Sequence, residues 1–133
     1  MISYLIDTDW MVDVLKGKAE AIQLLDWVAD QGAAISIITY AELLEGIVGF
    51  PQREIRERQL EALIASIDVL PIDFDVARRF AVSAVALRQG GVSIPDLDLL
   101  IAATALRHDL TLVSRDRHFE RIPDLRRHQQ SPA

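Results

Sequence analysis

The chain has 133 residues, half of them apolar, no cysteine, and 20 acidic against 14 basic side chains, for a net charge of −6. Such a length suits one domain that buries roughly two-thirds of its unfolded surface, and the apolar share excludes a disordered chain. The missing thiols exclude disulfides, thiolate zinc sites and cysteine nucleophiles, and no apolar run approaches the ~18 residues of a membrane span.

The acidic balance argues mildly against a protein that grips nucleic acid by bulk basicity. It is uneven: residues 1–66 hold eleven acids and five bases, residues 67–133 nine of each. The opening segment shows no basic leader or cleavage signal. With the absent cysteines, this predicts a cytoplasmic location.

In chain order, Ser3–Ile6 reads as a buried strand stopped by Asp7-Thr8-Asp9. Helical spacing follows over Trp10–Lys16 and again over Glu20–Asp30, with Gly17 and Gly32 as stops. Ala34–Ile38 is apolar on consecutive positions, as a strand buried on both faces requires. Helices are predicted from Thr39 to about Val48 and over Arg53–Ser66, then a third strand at Ile67–Leu70 and a helix at Asp75–Arg88. Thr111–Ser114 is a fourth strand and Phe119–Ile122 a short fifth. Strands alternating with helices of this length predict a single α/β domain over 1–133, whose parallel sheet of four or five strands is covered on both faces. The polar tail from about Pro123 is expected to fray.

The most informative stretch is Ile94–Ala105. Pro95 breaks what precedes it, and Asp96 stands where a helix N-cap belongs. Leu97, Leu100, Ile101, Thr104 and Ala105 then recur at helical spacing, predicting one apolar face as far as about His108. Capping accounts for Asp96. Asp98 is left without a structural task.

Open parallel sheets place their ligand sites beyond the carboxyl ends of the strands. Asp7 follows the first strand, Glu42 lies early in the helix after the second, and Asp116 follows the fourth. Asp98 opens the helix before the fourth strand, where the rule alone does not place it. Each acid has a plainer explanation. Thr39-Tyr40-Ala41-Glu42 is a complete capping box, Asp7 can cap a helix, Asp98 can serve a helix dipole, and Asp116 can be a solvated charge. One cation site explains all four together, since clustered carboxylates repel without a counter-ion. Oxygen ligands of this kind suit Mg²⁺ or Mn²⁺.

Four fragments carry a resemblance: Tyr4-Leu5-Ile6-Asp7-Thr8, Ser36-Ile37-Ile38-Thr39-Tyr40-Ala41-Glu42-Leu43, the run Asp98–Ala105, and Leu112-Val113-Ser114-Arg115-Asp116-Arg117-His118-Phe119. In this order and spacing they resemble the PIN-domain nucleases, and within them the VapC-type toxins of toxin–antitoxin pairs, over nearly the whole chain. The resemblance implies a three-layer α/β/α sandwich and divalent-metal-dependent cleavage of RNA. It matches Asp7, Glu42, Asp98 and Asp116 to the family's acidic quartet and Ser114 to its supporting hydroxyl. Asp96 has no firm counterpart. The resemblance also implies a toxin homodimer and a cognate antitoxin whose segment plugs the site.

In a metal-assisted reaction no side-chain nucleophile is needed, and the products carry a 5′-phosphate and a 3′-hydroxyl. Arg115 and Arg117 flank Asp116 and are candidates for holding RNA phosphates. His108, His118 and His128 lack metal-ligand spacing and read as surface residues, and Trp10 and Trp27 as core. Two rivals remain. A phosphoacceptor or phosphotransferase domain would take a phosphoryl group on Asp7 and call on Lys16 or Lys18. A catalytically inactive PIN-fold binding module would keep only the fold.

Overall fold

Tyr4–Ile6 forms β1, Ala33–Ser36 β2, Asp68–Leu70 β3 and Thr111–Val113 β4, in a computed structural model that describes residues 1–128. All four pair in parallel in the order β3-β2-β1-β4, with Leu5 beside Ala34 on one side and Leu112 on the other. Parallel neighbours need long crossovers, and here these are helical. Helices α1 (Thr8–Leu15) and α2 (Ala19–Gln31) lead to β2; α3 (Ile37–Val48) and α4 (Arg53–Ile64) lead to β3; α5 (Phe74–Gln89) and α6 (Asp96–Arg107) lead to β4.

The strand pleat sorts the apolar residues into two cores. Leu5, Ala34 and Leu112 face Leu87 of α5, Leu99, Ala102 and Ala105 of α6, and Phe119. Their neighbours Ile6, Ile35 and Val113 face the other way, against Trp10, Met11, Val28, Leu43 and Leu60 of α1 to α4. The result is the expected α/β/α sandwich: α1–α4, the sheet, then α5 and α6. No helix among the described residues is long and apolar enough to cross a membrane.

Several local expectations need correction. Residues Phe119–Ile122 are not a strand, because Arg117–Arg121 winds into a short 3₁₀ helix. The outer edge of β4 is instead met by the tail: Leu112 N donates to the Arg126 carbonyl, and His128 N to the Leu112 carbonyl, each at 2.8 Å. The tail expected to fray from about Pro123 is thus hydrogen-bonded to β4 at Arg126 and His128; residues 129–133 lie outside the described ones. Helix α6 is capped by Pro95 rather than Asp96, which is its first helical residue. Its buried face is built on Leu99, Ile101 and the alanines, whereas Leu97 is 48% exposed, because α6 is covered by both the sheet and α5. Trp27 is not core but 45% exposed, in a surface cluster with Tyr4 and His128.

Helix α3 begins two residues before Thr39, and its cap is Ser36, whose Oγ accepts from Ile38 N at 3.0 Å. The Thr39–Glu42 capping box is thus not formed. Thr39 lies buried within the first turn instead, and Glu42 is released for a tertiary contact.

A candidate acidic site at the carboxyl ends of the strands

Asp7 is the residue at which β1 becomes α1. It occupies the N-cap position, yet its side chain caps nothing. Its Oδ2 accepts from Ser114 Oγ at 2.6 Å across a sequence separation of 107, and Ser114 Oγ in turn accepts from Asp116 N at 3.0 Å. One hydroxyl therefore ties the end of β1 to the turn after β4. The adjacent backbone extends that seam, with Asp7 N donating to the Val113 carbonyl at 2.9 Å.

Only 6% of Asp7 is exposed. Burial pushes its carboxyl up from the usual 3.8 to about 7, against the lowering effect of the Ser114 hydroxyl, and the neighbouring Asp9 and Asp98 charges add to the rise. Asp98 is thereby placed within electrostatic reach of Asp7.

Asp98 and Asp116 meet through a residue that the sequence reading assigned to the surface. His118 Nδ1 lies 3.1 Å from Asp98 Oδ2 and 3.2 Å from Asp116 Oδ1. The bend that achieves this is local: Asp116 caps the 3₁₀ helix by accepting from His118 N at 2.9 Å. One ligand atom from each of Asp98, Asp116 and His118 falls within 4.8 Å of the others. Two oxygens and an imidazole nitrogen so disposed could hold a metal ion. Spacing alone missed His118 because its partner Asp98 is 20 residues away; its position two residues after Asp116 was the available signal.

Glu42 stands beside this set rather than within it. Its Oε1 accepts from Thr8 Oγ1 at 2.6 Å, and that hydroxyl lies 3.1 Å from Thr39 Oγ1. Because Thr8 follows Asp7 directly, the bond brings α3 to the start of α1. Among the described residues, no lysine or arginine forms an ion pair with Asp7, Glu42, Asp98 or Asp116. Lys18 pairs with Asp13 at 3.4 Å.

The two arginines differ. Arg117 is 90% exposed at its side chain, with a 3.8 Å pairing to Glu120. Arg115 turns back onto α1, where it pairs with Asp13 at 2.6 Å. Its partners Asp9 and Asp13 were not anticipated. A cavity of about 720 Å³ opens beside Arg78, Arg79 and Arg107 and shares no residue with the acidic site. That hollow is lined by charges of both signs, with Arg107 already paired to Asp75 at 3.0 Å, whereas the acidic site gathers carboxylates that no lysine or arginine pairs.

Known proteins resemble this chain over most of its length. A family profile described as "PIN domain" matches residues 4–125. The chain is 36% identical over 124 residues to "Ribonuclease VapC19" of Mycobacterium tuberculosis, covering 91% of this chain and 95% of that protein. It is 29% identical over 125 residues to "Ribonuclease VapC1" of Haemophilus influenzae, with 92% and 93% covered. The toxin–antitoxin complex VapBC2 from Rickettsia felis, solved bound to a DNA fragment from its promoter, superposes with a TM-score of 0.89. That match has 27% identity and spans 98% of this chain and 100% of that one.

Proposed function

The chain belongs to the PIN-domain family, and from that premise we propose that it is a divalent-metal-dependent endoribonuclease, the toxin of a toxin–antitoxin pair. One observation carries the reading: Asp98, Asp116 and His118 converge on one point, beside a buried Asp7 that no basic side chain neutralises. Carboxylates gathered without a lysine or arginine partner suit a bound cation. The ribonuclease names of the relatives supply the reaction class.

The residues fit such an ion. We assign Asp7, Asp98 and Asp116 as its carboxylate ligands, with Glu42 held by Thr8 at the border of the site and His118 as a further donor. Mg²⁺ is the ion proposed, with Mn²⁺ able to replace it. A divalent ion bound there would acidify a water molecule and offset charge on the attacked phosphate.

The chain's own groups do the rest. Ser114 fixes Asp7 through its hydroxyl and Asp116 through that residue's backbone amide. Asp7, pushed up to about 7 by burial, is a carboxyl that gives up its proton when a positive charge arrives. Arg117 is exposed beside the site and is proposed to hold an RNA phosphate.

Partners and place follow from the same family. We propose a cognate antitoxin, a homodimer and a cytoplasmic location. Exposed Trp27, Val48 and Phe50 supply apolar surface for association. Sedimentation of the isolated chain at tens of micromolar is expected to show a dimer. The antitoxin segment is expected to inhibit less as Mg²⁺ rises.

The activity itself is tested by incubating purified chain with cellular RNA in Mg²⁺ or in chelator, then analysing fragment ends. Metal-dependent fragments with 5′-phosphates are expected. Intact RNA in both samples, with an aspartyl-phosphate trapped on Asp7, would transfer the chain to the phosphoacceptor class.

A further inference from the structure

Arg115 sits between two residues of the acidic site, and among the described residues its side-chain hydrogen bonds, ion pairs and ring stacking all fall on α1. Its guanidinium carbon is 4.1 Å above the centre of the Trp10 ring. Nη2 donates to Asp13 Oδ2 at 2.6 Å and to the Asp9 carbonyl at 3.2 Å, while Nε lies 3.6 Å from Asp9 Oδ2. The backbone joins in: Arg115 N donates to the same Asp9 Oδ2 at 3.1 Å. The other Asp9 oxygen accepts from Trp10 N at 2.7 Å.

These contacts form a second tie between α1 and the turn after β4. The first is Ser114 to Asp7, at the very start of the helix. The second falls within the following two turns, at Asp9, Trp10 and Asp13. A second side-chain attachment limits how far the turn can pivot about the seryl bond. Asp116, the next residue, inherits that orientation.

We propose that Arg115 is a positioning residue that clamps residues 114–116 to α1, so that Asp116 is held at the right place relative to Asp7 for metal binding and cleavage. This rests on the nuclease reading above. An arginine is required because one planar group must stack on Trp10 while its edge reaches two acids; a lysine ammonium offers a point charge and no fork. The acids also consume its charge. Flanked by Asp9 and Asp13, Arg115 adds little net positive potential for an RNA phosphate, so the clamp and a phosphate contact predict different outcomes.

The test compares Arg115→Ala, Arg115→Lys and Asp13→Asn with the wild-type chain. Three quantities are read: single-turnover cleavage at saturating RNA, the Mn²⁺ concentration at half-maximal rise in melting temperature, and the salt dependence of RNA binding. Removing a group that orients metal ligands typically lowers metal affinity or activity by roughly 10–100-fold. Arg115→Ala is expected to lose cleavage in that range and to need several-fold more Mn²⁺, with the salt slope of RNA binding unchanged. Arg115→Lys should recover only part of the loss. Asp13→Asn should move the same quantities in the same direction, and combining it with Arg115→Ala should add little.

A salt slope shallower by ~0.7, with unchanged Mn²⁺ midpoint and saturated rate, would make Arg115 a phosphate contact and overturn the clamp. If Arg115→Ala does not fold, Arg115→Lys and Asp13→Asn decide by the same criteria. If the wild-type chain binds Mn²⁺ yet cleaves no RNA, the nuclease reading fails alone. The Mn²⁺ midpoints of the variants then still uphold or overturn the clamp.

Discussion

The two ends of the central sheet are built on opposite terms. At the amino ends of β1 and β2, the backbone bonds to itself: Ser3 N and Tyr4 N both donate to the Gly32 carbonyl, at 2.8 and 3.0 Å. Gly32 has a φ of 98°, and a Cβ there would collide with the Met1 carbonyl. At the carboxyl ends of β1 and β4, by contrast, acidic side chains crowd together with hydroxyls and one imidazole between them. One end is closed by chain geometry. The other holds charge in a place that does not favour it, which is what a site that gains a cation on binding requires.

The sharpest way to break this contrast is at Asp98. Asp98→Asn is expected to reduce RNA cleavage by roughly 100-fold or more, as read by fragment accumulation in Mg²⁺, while circular dichroism shows an unchanged fold. Normal turnover by the purified variant would remove Asp98 from the site. The reverse experiment is Gly32→Ala at the closed end. Strain there should destabilise the chain by roughly 1–3 kcal/mol in a denaturant titration, with cleavage per folded molecule intact. A large loss of specific activity would show that the two ends are not independent.

The pH dependence of stability sharpens the comparison further. The folded-state pKa of Asp7, about 7, lies above its ordinary 3.8, so the folded chain holds that proton more tightly. Its contribution is complete below about pH 4 and is lost as pH rises through about 7. The metal-free chain should therefore weaken across that window, by on the order of 4 kcal/mol at most. Asp7→Asn should flatten this fall, and an equally steep profile in the variant would assign it elsewhere. The smallest effect is at Arg117. Arg117→Ala is expected to lower the log–log salt slope of single-stranded RNA binding by ~0.7, and an unchanged slope would return this arginine to plain solvation.

How much of this was legible in the sequence follows from the range of the interactions involved. The order of strands and helices rests on local periodicity, and it holds with shifts of one or two residues at most ends. Asp7 and Asp116 follow from position, since each succeeds a strand whose end the fold rules place at a ligand site. The helix caps went astray because Ser36 and Thr39 both precede apolar runs, as do Pro95 and Asp96. The packing of α3 and α6 chose between them. Asp9, Asp13 and His118 were missed for a different reason. Arg115 is separated from Asp13 by 102 positions, and only the crossover from β3 through α5 and α6 brings β4 beside β1. Trp27 misled because tryptophan is mostly buried on average, whereas here it packs at the surface with Tyr4 and His128.

The central claim, that the carboxylates at the strand ends form one cation site, is tested most directly by melting the wild-type chain and Asp98→Asn side by side across a Mn²⁺ titration. An ion that binds only the folded state stabilises it by ~2.7 kcal/mol at 100 times its dissociation constant. The wild-type melting temperature should therefore climb with Mn²⁺. Asp98→Asn should start no lower in chelator, having lost a repulsive charge, and should climb much less. A wild-type curve indifferent to Mn²⁺, or two curves that rise together, would contradict the account.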